Sequence, residues 1–187
     1  MVSYDGTEQC ESWDIGCSEV HVTADVAYAL GQYLDWTGDD SLFFQGGAQV
    51  LVETARFWVS RYSPAPEAGK VNLLFCKGPD EYCGITSNNL FTNAMVKHNL
   101  SLALTAAARL KKEAPEQYAA LSLSKAECAA WGILRDAIRL PRDRITGHYR
   151  QDDTFHLLER VEPAELKSGD EASYHQVCFD RLQRYQV

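Results

Sequence analysis

Long apolar runs, clusters of one charge sign and paired-cysteine motifs are all missing from these 187 residues, and each absence removes a class of function. No apolar stretch approaches the roughly 18 residues that a membrane-spanning helix needs, so no membrane role is expected. The start, Met1-Val2-Ser3-Tyr4-Asp5-Gly6, lacks the basic and then apolar regions of a secretory signal. A cytoplasmic protein is therefore expected. Lys and Arg number 18 against 26 Asp and Glu, a formal net charge of −8. The basic residues gather only in short groups such as Lys111-Lys112 and Arg142-x-Arg144, and a nucleic-acid surface would need more. Of the six cysteines (Cys10, Cys17, Cys76, Cys83, Cys128 and Cys178), none forms Cys-x-x-Cys. Their spacings fit no zinc pattern, so no metal site is expected, and without an export signal free thiols are favoured over bridges. Repeats of solenoid period are also missing.

What is present is ordinary for a globular protein, at 45% hydrophobic and 24% charged residues, and its length suits a single core. Residues 1–20 are polar and irregular. From His21 the period becomes helical, with Val22, Val26, Ala29, Leu30, Tyr33 and Leu34 on one face, and Thr37-Gly38 closing the helix. A second helix is predicted from Asp40 to Tyr62, with Phe43, Gly47, Val50, Leu51, Thr54, Phe57 and Trp58 as its stripe. Ser63-Pro64-Ala65-Pro66 stops it. An extended run follows, with Val71, Leu73 and Phe75 on one side. The third helix runs from Asn88 to Lys112, its buried face marked by Leu90, Ala94, Met95, His98, Leu102, Ala106 and Leu110. His98 is read there as a core histidine. Pro115 opens a short helix, and Ser124-x-x-Glu127 is a capping-box pattern opening another, with Ala126, Ala130, Ile133, Leu134 and Ala137 inward. Leu140-Pro141 ends it. Arg142 to Val187 is less periodic, with a weak final helix near Tyr174 to Tyr185. The fold class is all-α, built from antiparallel helical hairpins.

Between the second and third long helices lies Gly78-Pro79-Asp80-Glu81-Tyr82-Cys83-Gly84-Ile85-Thr86-Ser87-Asn88-Asn89-Leu90-Phe91-Thr92-Asn93. A polar loop rich in carboxylates and carboxamides, held between rigid helices, is where binding and catalytic groups concentrate. Gly78-Pro79 also serves as a plain turn and Asn88 or Asn89 as a plain helix cap. Gly-Pro-Asp-Glu-Tyr followed by Asn-Asn-x-Phe-Thr-Asn resembles the signature of glycoside hydrolase family 65, the maltose, kojibiose and trehalose phosphorylases. His21-Val22-Thr23-Ala24-Asp25-Val26-Ala27-Tyr28-Ala29, Thr37-Gly38-Asp39 and Glu53-Thr54-Ala55-Arg56-Phe57-Trp58 occur in that family in the same order.

The resemblance implies an (α/α)6 barrel, of which residues 1–187 form a central part, and an inverting phosphorylase that cleaves an α-linked glucosyl disaccharide with phosphate to β-glucose 1-phosphate. It assigns Glu81 as the general acid. Such an acid must stay protonated near neutral pH until it gives its proton to the leaving oxygen. Asp80 disfavours ionisation of Glu81 if both share a low-dielectric site, although neighbours in an extended segment point apart. No second carboxylate has motif support as a base, so phosphorolysis is favoured, with hydrolysis or a non-catalytic, self-associating helical fragment as the alternatives. Phosphate is then a co-substrate, with no organic cofactor. The family's phosphate cradle and its Lys-Gln pair come later than the stretch matched here, and its Trp-Glu pair earlier. The expected sugar-contacting residues are His21, Thr23, Asp80, Tyr82, Asn88 and Asn93. Asn88 and Asn89 serve equally as scaffold, and His21 and Thr23 as cap or packing. Glu8, Glu11, Trp13 and Glu19 either line the sugar site or are solvated. Two departures, Cys83 where His is common and Phe91 where Tyr is frequent, bear on the acceptor sugar. A partial barrel leaves inner apolar surface uncovered, so a homo-oligomer is expected.

Overall fold

The computed structural model describes residues 13–80, 84–160 and 185–186. Glu8, Glu11, Glu81, Tyr82 and the weak helix at 174–184 lie outside them. Among the described residues six α-helices carry the architecture: α1 (Trp13–Ser18), α2 (Val22–Thr37), α3 (Ala48–Arg61), α4 (Leu90–Glu113), α5 (Pro115–Ala120) and α6 (Lys125–Ala137). A short antiparallel ribbon, β1 (Tyr62–Pro64) with β2 (Val71–Leu73), pairs Ser63 with Asn72. Near the end, β3 (Glu159–Arg160) runs parallel to β4 (Tyr185–Gln186). Helix α4, 24 residues and so about 36 Å long at 1.5 Å per residue, is the central member and touches α2, α3, α5 and α6. None of the helices described is long and apolar enough to cross a membrane.

The helix ends follow local chemistry. Gly38 adopts φ 64° and returns its N–H to Leu34 O. Asn89 Oδ1 accepts from Thr92 N and caps α4, and Ser124 Oγ accepts from Glu127 N and caps α6. Pro115 sits in the first turn of α5. The carbonyls at the end of α6 are met by Lys97 of α4, whose ammonium donates to Arg135 O and Ile138 O.

One expected helix is broken. Between Asp40 and Tyr62 the chain passes through a wide π turn, Phe43–Gly47, and Gly46 at φ 123° interrupts the helical path. That backbone setting is strained for any side chain with a Cβ. The kink is tied to α4 by Arg109, whose guanidinium donates to both Asp40 oxygens at 2.6 and 2.8 Å and lies 4.5 Å above the Phe43 ring.

The core has two adjoining centres. One contains Val52, Trp58, Leu73, Val96, Leu100, Trp131, Leu134 and Ile138. The other contains Ala27, Phe43, Ala48, Leu51, Ala106 and Leu110. Three expected faces are rotated. In α2 the inward residues are the small ones, Ala24, Ala27 and Gly31, while Val22 and Val26 are half exposed. Close approach of two helices favours small side chains at the contact, so Val22 and Val26 turn outward, while Leu30 and Leu34 still pack against the second core centre. In α4, Ala94 and His98 face out, and the His98 ring rests 5.6 Å from that of Tyr28. Val96, Asn99, Leu100 and Ala103 are inside instead. A helix touched on several sides has no single apolar stripe, which defeats a one-face reading. In α6, Ile133 is 71% exposed while Trp131 is buried. Phe75 also departs from the expected row: it takes φ 53° and turns into solvent. Cys17, Cys76 and Cys128 are free thiols.

Two polar connections cross the core. Trp58 Nε1 donates to Asn99 Oδ1 at 3.0 Å, and Asn99 Nδ2 donates to Thr54 Oγ1 at 2.9 Å. Arg56 of α3 donates to both oxygens of Glu127 at the start of α6 and to Leu121 O. The bond from Arg56 holds the Glu127 carboxyl below its ordinary value of 4.5. Its folded-state pKa is depressed, so its contribution is complete above about pH 4.5 and is lost as pH falls through the lower folded value. We expect Glu127→Gln to cost about 1 kcal/mol at pH 7 and less at about pH 3, where part of the contribution has been lost. Urea midpoints of wild type and variant at the two pH values check this.

Candidate functional site

The polar loop is closed at its neck. Cys76 N donates to Thr86 O at 3.0 Å and Thr86 N to Cys76 O at 2.8 Å, an antiparallel bridge. The nine residues between them, 77–85, have Glu81 at their middle position. Just inside the bridge, Lys77 N donates to Ser18 O, which joins the loop to the end of α1. Burial pushes the Cys76 thiol above its usual range.

After the bridge comes a cluster of carboxamides. Asn88 takes φ 55°, a left-handed setting that asparagine tolerates better than most residues. It is 1% exposed, and its side chain is fully engaged: Oδ1 accepts Leu73 N, while Nδ2 donates to Asn72 Oδ1 at 2.9 Å and Asp153 Oδ2 at 2.5 Å. Asn93 is wholly buried, donating to Arg139 O and accepting from Tyr62 OH at 2.7 Å. Burial raises the Tyr62 phenol well above its ordinary pKa, so it remains a donor. Asn88 and Asn93 were expected to contact sugar. Their burial and existing partners place them in the frame instead. Asn89, 2% exposed, is the α4 cap.

Gly78 explains the opening of the motif. A Cβ there would come within 2.4 Å of Asn89 Nδ2 and 2.7 Å of its Cγ and Oδ1. The loop backbone thus lies directly on the carboxamide that caps α4, which requires glycine.

Residues 150–155, which had no periodic signal, run back beneath the loop. Gln151 Nε2 donates to Asp80 Oδ2 at 2.6 Å, and Gln151 O accepts Leu90 N at 2.7 Å. Asp153 N donates to Ser87 O, and its carboxylate also takes Arg139 Nη2 at 3.0 Å. Asp152, 1% exposed, accepts Thr154 N, Thr154 Oγ1 and Phe155 N. That last turn was the one available sequence cue, since Asp-x-Thr favours such side-chain-to-backbone closure.

At the side of the loop, His21 is nearly buried at the start of α2. Its Nδ1 lies 2.8 Å from Asp25 Oδ2, and its ring meets Phe91 edge-on at 5.9 Å. The bond to Asp25 favours a proton on Nδ1, leaving Nε2 as the acceptor. Thr23 lies half-buried in the first turn of α2. The structure therefore brings His21 to the exit of the loop at Phe91, and holds Asp80 at its entrance.

Helices stacked in antiparallel pairs, with a tethered polar loop at the head of the central one, define a portion of a helical-barrel domain. A solved chain from the human microbiome, described as a kojibiose phosphorylase, superposes with a TM-score of 0.86 over 99% of this chain and 26% of that one, at 22% identity. The chain belongs to glycosyl hydrolase family 65, whose central catalytic domain matches residues 2–187. Among its relatives, the alpha,alpha-trehalose phosphorylase of Thermoanaerobacter brockii is 33% identical across 98% of this chain and 24% of its own length. The kojibiose phosphorylase of the same organism is 35% identical across 69% of this chain and 17% of its own. An alpha,alpha-trehalose phosphorylase of Geobacillus stearothermophilus is 38% identical across 79% and 20%. The chain thus spans about a quarter or less of the length of these relatives.

Proposed function

We propose that this chain is the acid-bearing part of an inverting α-glucoside phosphorylase. The observation that carries the reading is the closed neck at Cys76 and Thr86, which brackets nine residues whose middle position in the sequence is Glu81. In this reading Glu81 is protonated in the resting state and gives its proton to the glycosidic oxygen as the bond to the anomeric carbon breaks. An oxygen of inorganic phosphate attacks the same carbon from the opposite face. The α-linked glucosyl unit leaves as β-glucose 1-phosphate, and the acceptor sugar leaves with the transferred proton. Phosphate is a co-substrate, and no metal or organic cofactor takes part. His21, Thr23, Asp80 and Tyr82 are the side chains assigned to the sugar, with the Nε2 acceptor of His21 suited to a hydroxyl donor.

The full-length protein, supplied with trehalose or kojibiose, is expected to release glucose only when phosphate is present. Proton NMR of the product should show the β-anomer of glucose 1-phosphate. Equal release without phosphate would exclude phosphorolysis, and an α-anomeric product would exclude inversion.

The reading also includes a homo-oligomer. Val22, Val26, Tyr33, Leu42 and Val50 are each between 39% and 53% exposed along α2, the segment that follows it and the start of α3, and apolar surface of this kind favours association. Sedimentation velocity of the 187-residue chain is expected to show dimers or larger species at micromolar concentration. A strictly monomeric boundary over that range would remove the oligomer.

A further inference from the structure

We infer that Gln151 is a positioning residue for the acid-bearing loop, holding Asp80, the residue that precedes the proposed acid. This rests on the proposed role of Glu81. Gln151 is connected to both sides of the loop at once. Its side chain donates to Asp80 at 2.6 Å on the entering side, and its backbone carbonyl accepts Leu90 N–H at 2.7 Å on the leaving side, at the first residue of α4. One residue therefore spans the distance between the incoming strand of the loop and the helix that follows.

The base of this tie is itself rigid. Asp152, next in sequence, is buried and closes a turn by accepting three bonds from Thr154 and Phe155. Asp153 fastens the same segment to Ser87 and Asn88, and Arg139 joins that pair through Asn72 and Asp153. The Gln151 backbone cannot drift without breaking this set. Asp80 is one peptide from Glu81, with consecutive Cα atoms about 3.8 Å apart. A bond that fixes Asp80 thus limits where residue 81 begins.

A carboxamide suits this position because it donates without carrying charge. A lysine or arginine there would donate too, but would place a cation beside the loop and favour ionisation of a nearby acid. A glutamate would repel Asp80. The two contacts of Gln151 are also separable by substitution: any residue at 151 keeps the carbonyl bonded to Leu90, and only the side chain reaches Asp80.

The test uses the full-length protein with trehalose or kojibiose and phosphate. Gln151→Met preserves side-chain length and removes the donor. It is expected to lower kcat about 10- to 100-fold, the scale of a displacement of about 1 Å at a reacting group, while KM changes by less than about threefold. Asp80→Asn combined with Gln151→Glu reverses the donor and acceptor and keeps the net charge. This pair is expected to turn over faster than either single variant, the mark of direct coupling. Amide exchange supplies a readout that needs no turnover: in Gln151→Met the residues 77–86 should exchange faster, with Val96 to Ala107 unchanged. The inference is overturned by a kcat within twofold of wild type, by a swap no better than its singles, or by unchanged exchange in 77–86. A wild-type protein inactive on both sugars would count against the proposed function, and the exchange result would still decide whether Gln151 restrains the loop.

Discussion

Glu81→Gln is expected to reduce turnover of trehalose or kojibiose in the full-length protein by a factor of about 10²–10⁴, the usual contribution of a general acid. Glutamine has the shape of a protonated glutamic acid and can still donate a hydrogen bond. It has no proton to transfer to a departing alkoxide near neutral pH, so only the chemical step suffers. Thermal midpoints of wild type and variant should coincide within about 2 °C, because the substitution keeps the shape of the side chain. A second substrate separates loss of the acid from a damaged site. α-Glucosyl fluoride releases fluoride, which needs little protonation, so the variant should retain much more of its activity on the fluoride than on the disaccharide. Disaccharide turnover equal to wild type would remove Glu81 from the acid role, and equal losses on both substrates would point to misplacement of the loop.

Gly78→Ala is expected to affect both stability and turnover, for a reason that lies in the frame. The added methyl would sit 2.4–2.7 Å from three atoms of the Asn89 side chain. Two movements relieve the contact. Asn89 can rotate away, which gives up its bonds to Thr92 N and Oγ1 and costs about 1 kcal/mol for a lost cap. Alternatively the loop backbone moves off the helix end and carries residue 81 with it, at a cost of up to about 10²-fold in rate. We expect a destabilisation of about 1–3 kcal/mol, typical of an overpacked site, together with a fall in turnover. Adding Asn89→Ser to Gly78→Ala keeps a capping oxygen and removes Nδ2, the atom of closest approach, together with Oδ1. The double variant should therefore be more stable and more active than Gly78→Ala alone. Urea denaturation and initial rates on the four proteins of this cycle measure both effects. A Gly78→Ala protein indistinguishable from wild type would show that the contact is not tight in solution.

The parts of the fold legible in the sequence were those decided within one turn of helix. Gly38, Asn89, Pro115 and Ser124 each mark a helix end through local backbone chemistry. Which face of each helix turns inward was much less legible, because that depends on neighbours the local pattern does not name. Val22 and Val26 have the size of core residues and yet lie outward, since α2 meets α4 through Ala24, Ala27 and Gly31. The kink at Gly46 sits within a run of good helical spacing. For the site, the loop and its flanking motifs stood out at once. The work done by its carboxamides did not, because Asn88 and Asn93 have the same hydrogen-bonding groups whether they face a sugar or the protein. Gln151 and Asp153 meet Asp80 and Asn88 from more than 60 residues away, and no periodicity marks them.

The buried Asn99 between Trp58 and Thr54 also sets the rotational phase of α4. One residue of slip turns a helix by about 100°, which would withdraw the carboxamide from the indole N–H and leave buried polar groups unsatisfied, at about 1–3 kcal/mol for each. An apolar contact at this point would tolerate several phases. Because α4 begins at the loop, its phase at Asn99 is also the angle at which Asn89 and Asn93 meet their partners, and so the direction in which the loop is aimed.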